Sequence, residues 1–233
     1  PQAKLVASLG VEPRWASPVD FESTASTSSA TRPANAYDTR IVLRRAILAT
    51  IDANNVQSMK HCPACGNTVQ YQIPPGDQRE RAVCSECGQI HYQNPRIIAG
   101  CVVEHAGLLL LCRRAIEPRR GYWTHPAGFM ELGETLQHAA ARETREEALA
   151  EVQIGSMLTV TNVLHTGQVH IHFRGTLAEP VFGCGTESLD VQLFEESRIP
   201  WDKIAFQSVE FSLRRFLEDR RLGRESLHFL DIP

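Results

Sequence analysis

Cys62–Cys65 and Cys84–Cys87 form two Cys-x-x-Cys pairs, in the segments HCPACG and CSECG, with eighteen residues between Cys65 and Cys84. No other feature constrains the fold of this chain as strongly. A CxxC turn presents two thiolates from one tight loop, and two such turns at this separation close a tetrahedral, all-cysteine zinc site. Gly66 and Gly88 follow the pairs and relax the backbone there. Four sulfurs leave no open coordination position, so the expected zinc is structural, not catalytic. Cys101, Cys112 and Cys184 stand alone, the first two in apolar runs. An odd count with clustered pairs argues for metal and reduced thiols over a disulfide framework. The corresponding expectation is a reducing compartment such as the cytoplasm.

The charge balance excludes one class of partner. Formal net charge is -3 over 233 residues, which gives no basic footprint for polyanions. Nucleic acid and acidic membrane surfaces are therefore not expected partners. The charges of the cysteine segment itself (Asp77, Arg79, Glu80, Arg81, Glu86) are mixed, which weakens its reading as a nucleic-acid ribbon. No apolar run reaches spanning length; the longest, Leu108 to Leu111, is strand-sized.

Residues 1–58 differ from the rest. Ser17 to Asn35 is dominated by Ser, Thr, Ala and Pro and reads as a disordered leader, while Ile41 to Ile51 has the composition of one short helix. Met59 directly precedes the cysteine segment and is a candidate start. If the leader is a transit peptide, the plastid replaces the cytoplasm. Residues 1–58 are expected to be dispensable for catalysis.

Past the cysteines, Ile97 to Val103 and Leu108 to Cys112 read as strands joined at Ala106-Gly107 into a hairpin. Residues 113–133 are loop-like. Thr135 to Ala148 is the strongest helix candidate. Val152 to Val163, Gln168 to Ala178 and Leu189 to Phe194 read as strands, and Phe206 to Leu222 as an amphipathic helix. Strands interleaved with helices in this irregular order fit an α/β or α+β sandwich.

The first helix carries the chemistry. Its segment reads GFMELGETLQHAAARETREE from Gly128 to Glu147. Glu143 and Glu147 lie one turn apart on one helical face, with Glu146 at its border and Leu136 and Ala140 in line. Three crowded carboxylates repel one another, and divalent cations relieve that repulsion. Arg142 lies four residues before Glu146, within reach of both Glu146 and Glu134. A solvated acidic face is the bland alternative, and the fixed spacing from Gly128 argues against it.

This segment resembles the Nudix box, G-x5-E-x7-R-E-U-x-E-E-x-G-U with U apolar. The first glycine, the arginine and every glutamate match. Thr144 stands at the first apolar position, which its methyl serves. Leu149 stands where the family has its second glycine, so the left-handed helix cap that glycine provides is not expected. His125, in WTHPAG, replaces a more usual leucine and reads as a packing or surface change.

The wider chain, through HYQNPRIIAGCV, CRRAIEPRRGYWT and ESLDVQLF, resembles bacterial Nudix hydrolases with an N-terminal zinc ribbon and the plant chloroplast FAD/ADP-ribose pyrophosphatase. The resemblance implies an α/β/α sandwich with a mixed sheet over residues 96–233, behind a zinc ribbon over 59–95. It implies Mg2+ or Mn2+ held by Glu143, Glu147 and Glu146 with the Ala127 carbonyl. A later glutamate often completes the site, and Glu187 is the matching position. It also implies a homodimer.

Arg113, Arg114 and Arg119 follow the hairpin and are candidate phosphate contacts. Tyr122, Trp123 and Phe173 are candidate base-stacking groups, with core packing the commoner role of each. His170 and His172 share a strand face with no acidic partner in the local sequence, and receive no catalytic role. Three functions compete. The first is a pyrophosphatase acting on FAD or ADP-ribose and releasing AMP. The second is an NADH pyrophosphatase; that group carries an SQPWPF-like motif, and MLTVTNVLHTGQ does not match it. The third is a regulator with a disabled Nudix domain, against which the complete glutamate set counts.

Overall fold

A computed structural model describes residues 59–233. The readings made for residues 1–58 lie outside the described residues. The first three strands, β1 (Val69–Gln72), β2 (Arg81–Cys84) and β3 (Ile90–His91), form a small antiparallel sheet behind the cysteine turns.

The eight strands that follow make one mixed sheet. They are β4 (Arg96–His105), β5 (Leu108–Arg114), β6 (Trp123–Thr124), β7 (Ala127–Phe129), β8 (Val152–Val163), β9 (Gln168–Leu177), β10 (Ser188–Phe194) and β11 (His228–Ile232). The order across the sheet is β10-β5-β4-β9-β8-β11, with β6 on β5 and β7 on β4. The pairs β4–β9 and β8–β11 are parallel and the others antiparallel.

The β4–β5 hairpin turns where expected. Ala106 and Gly107 have φ of 48° and 84°, the left-handed pair that matches the natural twist of a two-residue hairpin. Strand β4 lies in the middle of the sheet and alternates its faces. Cys101 and Val103 point into one core, with Ala139, Ala140 and Ala148 of helix α1 (Leu136–Ala148). Val102 points into the other, with Val209, Leu213 and Leu217 of helix α2 (Gln207–Leu222). The sheet is thus covered by a helix on each face, the α/β/α sandwich that the resemblance implied.

Three expectations need correction. Residues 113–133 are not all loop: β6 and β7 lie within them, each pinned to a neighbour distant in sequence. Helix α1 does end in a left-handed residue. Leu149 has φ 48° and ψ 35°, and its N–H donates to the Arg145 carbonyl. The N–H groups of Gly183 and Gly185 cap the Ala148 and Glu147 carbonyls from the following loop. These bonds supply termination where glycine is missing. For His125 the surface half of the reading is corrected and the packing half holds. His125 is fully buried, with Nε2 2.9 Å from Ser212 Oγ and its ring centroid 4.3 Å from that of His172.

Candidate active site

Helix α1 begins at Thr135, whose Oγ1 accepts from the His138 N–H at 3.2 Å. One face of the helix is pressed into the core through Ala140 and Thr144. Thr144 is fully buried and donates its hydroxyl back to the Ala140 carbonyl, so it serves an apolar position without an orphaned polar group. That anchoring also drives Glu147 inward, leaving it 6% exposed. The Ala127 N–H donates to Glu147 Oε2 at 3.2 Å. Burial pushes the Glu147 carboxyl up to about 8, against the pull of that hydrogen bond, with Glu143 and Glu187 adding repulsion. Burial likewise raises Glu143 and outweighs its contact with Arg142.

Arg142 braces the row. Its guanidinium donates to Glu134 Oε1 at 2.6 Å, Glu143 Oε1 at 2.8 Å, Glu146 Oε2 at 3.0 Å and the Phe129 carbonyl at 3.0 Å. The same bond, made by Arg142, holds Glu134 down to about 2. Glu134 also accepts from the Glu131 N–H at 3.0 Å, which ties the loop before α1 to the helix. Gly128 leaves room for the Glu143 carboxyl: a Cβ there would sit 2.3 Å from its carboxyl carbon and push that side chain aside.

Glu143, Glu146, Glu147, Glu187 and Ala127 all line one cleft of about 890 Å3. Glu134 stands outside it, behind Arg142. Arg114 and Arg119 border the cleft, and Arg113 does not. Trp123 and Phe173 are buried in the two cores, and Phe173 packs with α1. His170 lies on the cleft floor, bonded to Ser208 Oγ and Gln168 Oε1, with no acidic partner among the described residues. Sequence reasoning missed Phe206, Ser208 and Ile232, which complete the far wall. No local motif marks them. They arrive through the docking of α2 and the pairing of β11 with β8.

The cysteine cluster stands apart from this cleft. The sulfurs of Cys62, Cys65, Cys84 and Cys87 all lie within 4.8 Å of one another, with separations of 3.8, 3.4 and 3.7 Å among them. A tetrahedral zinc with bonds of about 2.3 Å puts neighbouring sulfurs about 3.8 Å apart, so the quartet has the right size. Among the described residues, no other group draws three metal-ligating atoms so close. The glutamates are strung along the cleft instead of closed into a cage.

A model of the Nudix N-terminal zinc ribbon matches residues 60–93, and the NUDIX domain model matches residues 94–211. The chain belongs to the Nudix family. A crystal structure of a NUDIX hydrolase from Nitrosomonas europaea is similar at 48% identity and a TM-score of 0.73, covering 75% of this chain and 99% of that one. Among curated relatives, the NAD-capped RNA hydrolase NudC of Edwardsiella ictaluri is 35% identical over 103 residues, 42% of this chain and 36% of that protein. The enzyme of the same name from Vibrio vulnificus is 35% identical over 102 residues, 41% of this chain and 35% of that protein. The match thus spans about a third of the length of these curated relatives.

Proposed function

We propose that this Nudix hydrolase cleaves the diphosphate linkage of a nucleoside diphosphate derivative, FAD or ADP-ribose, and releases AMP. The observation that carries the proposal is the row of carboxylates set along a cleft of about 890 Å3 with apolar walls, Ile98, Phe129, Phe206 and Ile232 among them. That volume lies in the upper part of the range for small-molecule sites, enough for both halves of a dinucleotide.

The donor set fits a hard divalent cation. The ligand atoms are carboxylate oxygens, and the buried Glu147 carboxylate has no cationic side chain paired with it among the described residues. Glu143, Glu147 and Glu146, with the Ala127 carbonyl, would hold Mg2+ or Mn2+, and Glu187 would complete the set. Their open arrangement suits an ion that keeps several waters and shares its remaining positions with substrate phosphates. Such an ion neutralises phosphate charge and makes bound water more acidic. Arg142 fixes the rotamers of Glu143 and Glu146 from behind. Glu146 and Glu187 are exposed to the cleft, and either is placed to take the proton of the attacking water. The cysteine quartet would hold one structural zinc.

A second reading is favoured by the names of the curated relatives: an NAD-type linkage, free as NADH or at the end of an RNA. A panel of FAD, ADP-ribose, NADH and a short NAD-capped RNA, assayed with Mg2+ and Mn2+, separates these. FAD giving FMN and AMP, or ADP-ribose giving AMP and ribose 5-phosphate, is the expected result. In isotopically labelled water the label must appear on a product phosphate. Turnover confined to NADH or capped RNA would replace the first reading with the second.

A further inference from the structure

Strand β5 and the loop that follows it bring two guanidinium groups to the cleft that form no ion pair among the described residues. Arg114 and Arg119 both line it. Among the described residues neither forms an ion pair, whereas Arg142, Arg174 and Arg220 each hold at least one carboxylate. Arg114 lines the same cleft as Glu143, Glu146, Glu147 and Glu187.

The backbone at Arg119 is the second observation. Its φ is +65°, a region that glycine enters freely and that a residue with a Cβ resists. The surrounding loop holds it there. Arg114 Nε donates to the Pro118 carbonyl at 2.9 Å, the Gly121 N–H donates to the Arg114 carbonyl at 2.9 Å, and the Tyr122 N–H donates to the Arg119 carbonyl at 3.1 Å. The Arg119 guanidinium lies over the Tyr122 ring, 5.3 Å from its centroid. A strained non-glycine residue, over-determined by its neighbours and facing a cleft, points to a side chain with a task.

We propose that Arg119, with Arg114 beside it, forms a phosphate-binding arm that contacts the non-bridging oxygens of the substrate's diphosphate. The planar guanidinium fork matches two phosphate oxygens, and an arginine without a carboxylate partner has its donors free for them. The loop contains its own controls. Arg113 donates to the Gly121 carbonyl at 3.1 Å, and neither Arg113 nor Arg120 lines the cleft. This inference rests on the reading of the cleft as a diphosphate hydrolase site.

Glycine at position 119 separates binding from architecture. It suits the left-handed backbone better than arginine does and removes the side chain. ADP-ribose hydrolysis with Mn2+, thermal unfolding, and binding of α,β-methylene-ADP in buffer free of Mg2+ and Mn2+ would be measured for Arg119→Gly, Arg119→Ala, Arg119→Lys and Arg120→Ala. The Gly and Ala variants are expected to raise KM about tenfold to a hundredfold with a smaller change in kcat, and to weaken α,β-methylene-ADP binding similarly. The Lys variant should recover part of both, and Arg120→Ala should match the wild type. Arg119→Gly should melt at or above the wild-type temperature. A glycine variant with wild-type KM and affinity would overturn the proposal, since the arginine would then only cover the loop. If the wild type hydrolyses no diphosphate, the reading of the site fails, and the α,β-methylene-ADP measurement still decides whether Arg119 binds phosphate.

Discussion

Glu147 combines a buried carboxyl group with a position on the cleft. Its carboxylate is mostly withdrawn from water and receives one backbone hydrogen bond, from Ala127. The Glu143 carboxyl occupies the space that a Cβ at position 128 would take, and Arg142 bonds both Glu143 and Glu146 from outside. If these carboxylates hold the ion, Glu147→Gln and Glu143→Gln keep shape and lose the charge that binds it. Each is expected to reduce kcat by orders of magnitude while thermal unfolding stays cooperative. Glu134→Gln should cost less, because Glu134 reaches the site only through Arg142. Steady-state rates at saturating Mn2+ check this. Near-normal rates in the Glu147 variant would remove the glutamate row from the mechanism. The helical spacing of the sequence is enough to place Glu143 and Glu147 on one face. The burial of Glu147 is not legible there, because it depends on where the sheet packs beneath α1.

At the scale of elements, what was legible followed periodicity and length. Strand β8 runs over the Val152 to Val163 stretch read as a strand, and α1 occupies the Thr135 to Ala148 helix candidate, with Thr135 as its cap. The short strands β6 and β7 were not legible, since two or three residues carry no period and owe their shape to β5 and β4. Strand β11 was missed because its partner β8 lies far away in the chain. The left-handed Leu149 defied the glycine rule because the loop at Gly183 and Gly185 caps the helix end from outside. Gly185 permits this contact, since a Cβ there would fall 1.7 Å from the Glu146 carbonyl oxygen. The ribbon was legible from its cysteines alone. Its buried residues are few (Cys62, Pro74, Ala82, Val83, Cys84 and His91), too small a core to fold unaided. Metal binding must then supply most of its folding free energy. Protein purified without added metal should contain one zinc per chain by elemental analysis. Stripping it with a strong chelator should open residues 60–93 to protease while the domain from residue 94 stays protected. A ribbon that resists protease after complete zinc removal would show that the quartet is not its main support.

Across the whole molecule, the sheet separates two cores of different character. The α1 side carries the acid row, and the α2 side carries a buried polar seam of His125, His170 and His172 against Ser208, Ser212 and Thr159. Burial lowers His170 to about 4 and His172 well below its ordinary value. For His170 burial is the cause, and for His172 the neighbouring His125 and His170 add to it. A histidine lowered in the folded state contributes stability that is present above its unfolded pKa, near 6.5, and is lost as pH falls toward the folded value. Glu147 and Glu143, which are raised, act with the opposite sign over part of the same range, so the pH profile of the wild type alone does not isolate the seam. The comparison that isolates it is wild type against His170→Phe, in which the carboxylate contributions cancel. Between pH 7 and pH 5 the wild type should lose at most about 2 kcal/mol relative to the variant, since the unfolded histidine gains a proton that the folded one refuses. For a domain of this size that is a relative shift in Tm of about 5 °C. The variant also lacks the bonds to Ser208 and Gln168, which lowers its stability by an offset that does not vary with pH over this window. A Tm difference between the two proteins that stays constant from pH 7 to pH 5 would mean that His170 is protonated as readily folded as unfolded, and that water reaches the seam.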